Sequence, residues 1–533
     1  MENNDVKENV NLTEDIESNN KGKNNKKKIV VIVILGIVLL GCLILFLLRD
    51  NFIKQKKVES EVKEVYSEYR ISSNSLDKFD LSFLQFENEA KNKVYSPLSI
   101  KYALGMLEEG SSGISKAQIT SVVGDYKTKK YVNSQHMSFA NAMFIRNTYK
   151  DSIKEDYIKN LNTKYNAEVI FDSFENANSM NLWVNNKTLN LINNLFDDNA
   201  VREQNYILTN ALAIDMEWNK MIQATTNTYK DQYSVRYAHE DFWVGIAVIS
   251  GDYYSSLKFN NDTINAKAVE LGAVLNNYDI VNTLGEENIR NTVGEEYKKW
   301  LTTDEAKSLN PELNVDVYLD KYIEELNSNY KRVDSSTDFS LYVDDDVKVF
   351  AKDLKEYDGT TLQYIGIMPK SVTLDNYIKA LNADKVNKVI NNLKEIKSEN
   401  FKDGVVTNIT GYIPLFKFDY ELDLVGDLQK LGITDVFDIN KADLSGISKE
   451  KTYISDASHK ASIEFSNEGI KAAAATQEGG AGSTGDGFEY LYEVPVEEID
   501  LTFDNPYMFL IRDKNTGEVW FVGTVYEPVE NVR

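Results

Sequence analysis

The pattern of apolar and polar residues changes along this chain of 533 residues. In the first part of its globular body, apolar residues recur at three- and four-residue spacing, which is typical of amphipathic helices. Such helices are predicted at Leu81–Glu89, Pro97–Glu108, Ala117–Val123 and Asp156–Tyr165. Later segments alternate or run apolar, as strands do, at Tyr206–Met216, Leu362–Met368, Gly411–Phe418, Ala461–Phe465, Met508–Arg512 and Glu518–Val525. Helices first and strands later predict an α+β fold built on large, mainly antiparallel sheets.

A long apolar segment near the N-terminus indicates a membrane anchor. Ile29–Leu48 is an unbroken run of apolar residues and glycines, and about twenty such residues cross a bilayer as a helix. Five lysines precede it within Lys21–Lys28. Because positive charge favours the cytoplasmic side, we expect a single-pass protein of the cell membrane with its C-terminal domain extracellular.

Two other interpretations of this segment stay open. A cleaved signal peptide is disfavoured because the run is long and no small-x-small site closes it. Leu39–Cys42 resembles the box at which bacterial lipoproteins are cut and lipidated on cysteine. The six apolar residues that follow Cys42 argue against that interpretation.

Composition shifts divide the chain into four parts. A cytoplasmic tail is predicted at 1–28, the anchor at 29–48, and a stalk rich in Lys, Glu and Ser at 49–73. The globular domain is predicted at 74–528. A region at about 237–301, which contains Trp243 and Trp300, is predicted to be an insertion, either a plain surface addition or a docking surface.

Charge and composition exclude several classes of function. The net charge of -24 would repel phosphate backbones, so no nucleic-acid partner is expected. Cys42 is the one cysteine, so neither a disulfide nor a cysteine zinc site forms within the chain. The three histidines, His136, His239 and His459, lack metal-ligand spacing, and no nucleophile-elbow pattern is present. We expect no cofactor and no enzyme activity. Abundant Asn and Lys indicate an AT-rich bacterial genome.

Several segments, in order along the chain, resemble the serpin family of serine protease inhibitors. The segments span about 450 residues. As an ordered set they identify the chain as a member of this family far more specifically than any single segment does. The segments are Val94–Ile100, Gly110–Ile119, Asn181–Leu195, Leu208–Ala211 with Trp218, Tyr412–Phe418, Leu431–Ile433, Ala442–Ile447, His459–Ala461, Asn467–Thr476, Asn505–Arg512 and Gly523–Val525.

The resemblance implies a fold and a mechanism. Serpins have three mainly antiparallel sheets and about nine helices. Their exposed reactive loop is cut by the target protease and inserts into the main sheet as an extra strand, so that the protease is trapped as an acyl-enzyme. The chain is therefore expected to be a suicide inhibitor of a serine or cysteine protease. The alternative is a non-inhibitory serpin that acts as a carrier or adhesion module on the cell surface.

The hinge of the loop separates these two functions. In inhibitory serpins it carries small residues, because bulky or charged side chains would clash or be buried unpaired. The resemblance places it at Glu468, Gly469, Ile470, Ala472, Ala473, Ala474, Ala475 and Thr476, a sequence that favours inhibition. With alternate residues inward, Ile470, Ala472, Ala474 and Thr476 face the core. Glu478 would follow them inward at a cost of several kcal/mol.

Two further sets of residues follow from the resemblance. Ser96, Ser99, Asn210 and His459 match the hydrogen-bonded cluster beneath the opening sheet, and Trp218 matches the residue where the loop enters it. Fifteen residues counted from Gly469 place the cut between Ser483 and Thr484.

The sequence of the loop limits the choice of protease. Ala472–Ile511 contains no Lys or Arg, which excludes a trypsin-like target. The expected targets are elastase- or subtilisin-like enzymes. Chymotrypsin-like cutting around Phe488, Tyr490 and Leu491 is the alternative.

Overall fold

The computed structural model describes residues 40–50, 67–244, 247–249, 330–332, 336–402, 406–455, 457–471 and 496–528, with a few isolated residues between them. Residues 40–50 are helical and expose large apolar side chains. The predicted membrane segment Ile29–Leu48 lies mostly outside this range. Within the described residues, no helix combines the length and the apolar character needed to span a bilayer.

Nine helices of the body are described, and a side-chain cap marks the start of five of them. They are α1 (Lys78–Phe86), α2 (Pro97–Gly110), α3 (Gly113–Val123), α4 (Glu155–Tyr165), α5 (Asn178–Lys187), α6 (Asp198–Arg202), α7 (Leu374–Lys379), α8 (Ala383–Asn391) and α9 (Leu424–Lys430). Ser96 caps α2, with Pro97 in its first turn. The helix predicted at Leu81–Glu89 begins and ends three residues earlier, because Asp77 and Asp80 form a capping box.

Twenty strands complete the described body. They are β1 (Lys93–Tyr95), β2 (Met137–Arg146), β3 (Glu168–Asp172), β4 (Tyr206–Ile214), β5 (Met216–Glu217), β6 (Gln223–Tyr229), β7 (Tyr233–Val244), β8 (Ala247–Ile249), β9 (Tyr330–Arg332), β10 (Ser336–Val343), β11 (Val347–Asp353), β12 (Leu362–Pro369), β13 (Lys394–Ile396), β14 (Val406–Pro414), β15 (Phe416–Asp423), β16 (Ser458–Phe465), β17 (Gly469–Lys471), β18 (Val496–Thr502), β19 (Tyr507–Asp513) and β20 (Val519–Val525).

The strands form more sheets than predicted. A seven-stranded sheet has the order β1-β20-β19-β12-β11-β10-β13, and a four-stranded sheet has the order β18-β14-β7-β6. In place of one further large sheet there are two, β3-β2-β4 and β15-β16-β17-β5. The prediction of three sheets is therefore wrong for the described residues, because no ladder joins β4 to β16. A two-stranded ladder, β8 with β9, is the fifth sheet.

The predicted insertion begins later than residue 237. Tyr237–Val244 belongs to β7 and pairs antiparallel with β14. Ala238 and Phe242 are buried on its inner face. Beyond it, Ala247 pairs with Arg332 in the β8–β9 ladder, so the chain leaves and rejoins the body at one place. Trp300 and most of the residues between these two strands lie outside the described residues.

Candidate functional site

The start of the predicted hinge is already a strand between two others. β16 ends at Phe465, and a tight turn returns the chain as β17, in which Ile470 pairs with Phe465. On its other side β17 pairs with β5, with Ile470 opposite Met216. Ile470 is 2% exposed, which is the inward orientation that the alternation predicts. The turn is closed by Ser466, whose Oγ accepts the backbone N–H of Gly469 and donates to its carbonyl oxygen.

Gly469 has no room for a side chain. A Cβ at this position would lie 2.2 Å from the Met216 carbonyl oxygen and 2.7 Å from Glu217 Cα. Both are backbone atoms, which cannot swing aside. The close approach of β17 to β5 therefore requires glycine.

Trp218 holds the turn from the side of β5. Its indole Nε1 donates to the Ser466 carbonyl oxygen at 2.9 Å, and its backbone N–H donates to the Glu468 carbonyl oxygen at 2.9 Å. The ring is 1% exposed and packs against Phe465, with ring centroids 5.4 Å apart. The structure thus places Trp218 at the point where the chain enters the sheet.

Below β17 the sheet is open. β4 and β16 flank a cavity of about 870 Å³, whose other walls come from α2 and from the segments that follow α5 and α9. Ser96, Ser99, Asn210 and His459 all line this cavity. Each of the two strands pairs on its outer side, β4 with β2 and β16 with β15. Their inner edges are therefore available to a further strand over most of their length.

The predicted cluster is divided between the two sides of the cavity. The Ser96 backbone N–H donates to His459 Nε2 at 2.9 Å, and Ser96 Oγ accepts the Ser99 N–H at 3.1 Å. Asn210 lies on β4 and donates instead to Asn141 Oδ1 of β2, at 2.8 Å. Asn141 was missed by the sequence analysis, although an asparagine inside the apolar run Met137–Ile145 is a visible signal.

His459 is held neutral by its surroundings. Because Nε2 accepts a hydrogen bond, the ring proton must lie on Nδ1. One side of the ring borders the cavity, yet protein atoms surround it closely, and burial lowers the pKa of His459 to about 4. The cluster therefore carries no positive charge at neutral pH.

Two oxygens of the predicted cluster, Ser99 Oγ and Asn210 Oδ1, are buried without a hydrogen-bond partner among the described residues. Tyr206 Oη is a third such atom in the cavity lining. Since an unpaired buried oxygen costs roughly 1–3 kcal/mol, both cluster oxygens favour an occupant that brings polar atoms to them. The remaining hinge residues Ala472–Thr476 and the predicted reactive bond Ser483–Thr484 lie outside the described residues.

A family model described as serpin (serine protease inhibitor) matches residues 78–271 and 334–528. An uncharacterized serpin-like protein of Methanosarcina acetivorans is 23% identical over 520 residues, covering 91% of this chain and 96% of its own. Human neuroserpin is 23% identical over 473 residues, covering 84% and 88%. These relatives are archaeal and mammalian, so the predicted bacterial origin gains no support from them.

Two solved structures share the fold. The native state of the thermophilic serpin tengpin has a TM-score of 0.53 at 18% identity, covering 87% of this chain and 98% of its own. Thyroxine-binding globulin in complex with thyroxine has a TM-score of 0.51 at 17% identity, covering 85% and 98%.

Proposed function

The chain belongs to the serpin family, and we propose that it inhibits a serine or cysteine protease by inserting its cut reactive loop between β4 and β16. One observation carries this proposal: β17 already lies between β16 and β5, directly above a cavity bounded by two strand edges. A chain that enters a sheet at this point and continues in the same direction becomes a strand of that sheet.

If the inserted strand keeps the register of β17, the partners of the remaining hinge residues follow. Lys471 pairs with Glu464, so Thr476, five residues later, would meet His459, five residues before Glu464. Ile470 pairs with Met216, so Thr476, six residues later, would meet Asn210, six residues before Met216. The inserted threonine hydroxyl would then lie beside the unpaired Asn210 Oδ1. The two sides of the cluster would be joined through the loop.

The costliest step of insertion in this register would be the burial of Glu478. This residue would come to lie opposite Leu208 and Ala457, on the inward face. A carboxylate there has to become protonated or reach the sheet edge, because burying it charged costs several kcal/mol. Each backbone hydrogen bond formed by the new strand stabilises the inserted state by roughly 0.5–1.5 kcal/mol, which offsets part of this cost.

Insertion would carry the protease away from the place where it cut. Fifteen residues at ~3.3 Å each span about 50 Å, so an enzyme still joined to Ser483 is dragged along the sheet. Trapping follows because the acyl-enzyme needs an intact oxyanion hole and an aligned water to hydrolyse.

A denaturing gel tests the proposal. After incubation with subtilisin or elastase, an inhibitor gives a covalent complex that survives denaturant. Mass spectrometry should show that the released C-terminal fragment begins at Thr484. A carrier or adhesion protein would give cleaved product only. Complex formation with trypsin would contradict the predicted target class, and a fragment beginning near Leu491 would move the reactive bond.

We also propose that the inhibitor is tethered to the cell membrane, with its body outside the cell. Support comes from the apolar run Ile29–Leu48, the lysines before it, and the exposed apolar side chains of residues 40–48. A tethered inhibitor would protect the cell surface from proteases in its surroundings.

A further inference from the structure

The cavity between β4 and β16 extends beyond the space that an inserting hinge would fill. Its volume of about 870 Å³ is within the range of small-molecule sites. On its inner side it follows one face of α2, where Ser99, Ala103 and Leu107 recur every four residues. At 1.5 Å per residue this row is roughly 12 Å long. The alanines of the hinge would present only methyl groups to it.

One end of the row is polar but uncharged. Ser99 is 3% exposed, and its Oγ has no partner among the described residues. Asn210, which lines the cavity from β4, has a second buried acceptor without a partner among the described residues, its Oδ1. His459 also lines the cavity, and because its Nε2 accepts the Ser96 N–H, the donor of the neutral ring is Nδ1–H. A hydroxyl group, which both donates and accepts, fits these three side chains.

The rest of the row is apolar and opens to the surface. Leu104, Leu107, Leu428 and Phe437 line it, and Ile439, which is 55% exposed, lies at its rim. The charged residues that line the cavity are three acidic and two basic, namely Asp197, Glu203, Glu421, Lys451 and Lys460. Because acidic residues outnumber basic ones in the lining, a ligand with an anionic head is disfavoured.

We propose that the cavity binds a neutral single-chain lipid, with its hydroxyl-bearing head between Ser99, Asn210 and His459 and its chain along α2. Lipid and inserted loop would occupy the same space, so each must weaken the binding of the other. This regulatory consequence rests on the proposed function, since it requires the loop to insert. The binding site itself does not.

Photo-crosslinking tests the site directly. The full chain in phosphatidylcholine vesicles is incubated with a twelve-carbon monoacylglycerol that carries a diazirine on its chain. Labelling is expected on the peptide Pro97–Gly110. Ala103→Phe, which fills the apolar row, should abolish it. Leu182→Phe is the matched control, because Leu182 is 62% exposed and lies outside the cavity lining, and it should be labelled like the wild type.

A second variant guards against misfolding of the first. Asn210→Leu removes the acceptor and should weaken labelling roughly tenfold, the effect of one lost hydrogen bond. Equal labelling of wild type and both cavity variants, or labelling only outside the cavity, would overturn the proposal.

Protease reactions separate this inference from the proposed function. With excess monoacylglycerol, the covalent complex should decrease and cleaved product increase. If the complex forms and no lipid is crosslinked, the inhibitor stands and the lipid site falls. If lipid is crosslinked at α2 and no complex ever forms, the lipid site stands and inhibition falls.

Discussion

At the scale of single residues, a buried lysine links two helices to the last hairpin. Lys101 Nζ lies 2.7 Å from Asp80 Oδ1 and 3.1 Å from Glu518 Oε1, and all three side chains are fully buried. Burial opposes the charge of the lysine, but the two carboxylates outweigh it and raise the pKa of Lys101. Burial raises the pKa of both Asp80 and Glu518. The lysine therefore compensates acidic groups that water cannot reach.

We predict that Lys101→Met lowers the free energy of unfolding by roughly 3–5 kcal/mol, because it leaves buried carboxylates without their cation. Urea unfolding measures this change. Lys78→Met is the control, since the ion pair of Lys78 with Glu68 is exposed and such pairs contribute about 1 kcal/mol or less. Equal losses in the two variants would show that the buried group does not stabilise the fold.

The low pKa of His459 predicts that the free energy of unfolding depends on pH. The pKa of this residue is about 4 in the folded protein and about 6.5 in an unfolded chain, so between these values the unfolded state binds more protons. The free energy of unfolding should therefore rise with pH across this window and fall on acidification, by at most about 3 kcal/mol from this group. In thermal unfolding, His459→Gln should flatten the dependence relative to the wild type. A profile identical in wild type and His459→Gln would contradict the account.

At the scale of elements, the proposed insertion makes the inward face of the hinge decide between inhibitor and substrate. Continued in the register of β17, the hinge would bring Ala474 opposite Leu212 and Ala461, which are 8% and 3% exposed. Ala474→Arg, or likewise Thr476→Arg, would bury an unpaired cation there. We predict that either variant is cut normally but forms little covalent complex, while Ala474→Ser behaves like the wild type. Unchanged inhibition stoichiometry in both arginine variants would count against strand insertion.

The elements also show what sequence could and could not predict. Spacing and capping residues predicted α2, β4 and β16 closely, because those signals are local. The gap between β4 and β16 was not predictable, since strand pairing depends on residues far apart in the chain. The start of the insertion was misplaced because Glu240 breaks the alternation of β7. It points inward, where Lys352 Nζ lies 3.4 Å away.

At the scale of the whole molecule, the proposed membrane tether would fix where the proposed inhibitor acts. Protease added to intact cells should remove the body and leave a short stub that contains Ile29–Leu48. Antibodies against a tag before Met1 and against the body would follow the two parts separately. A body that is protected until the cells are lysed would reverse the predicted topology.

The candidate site could be predicted only in part from the sequence. The resemblance brought together the residues of the cluster, and the structure places all of them on one cavity. Their division between its two sides depends on the open sheet, and so does the lack of a hydrogen-bond partner for the buried Ser99 Oγ and Asn210 Oδ1 among the described residues. A cavity is a property of the assembled molecule and leaves no pattern along the chain.

The central claim is that the cut loop becomes a strand in a defined register, and an engineered disulfide tests it most directly. In a Cys42→Ser background, Thr476→Cys is combined with Asn210→Cys, because directly opposed residues in antiparallel strands have Cα atoms about 4.5–5.5 Å apart, a distance that a disulfide can bridge. Ala475→Cys, which would face the other way, replaces Thr476→Cys as the control. We predict a crosslink between the two introduced cysteines only after subtilisin cuts the loop, and none in the control. A cut, folded protein without the crosslink, or equal crosslinking in the control, would contradict insertion in this register.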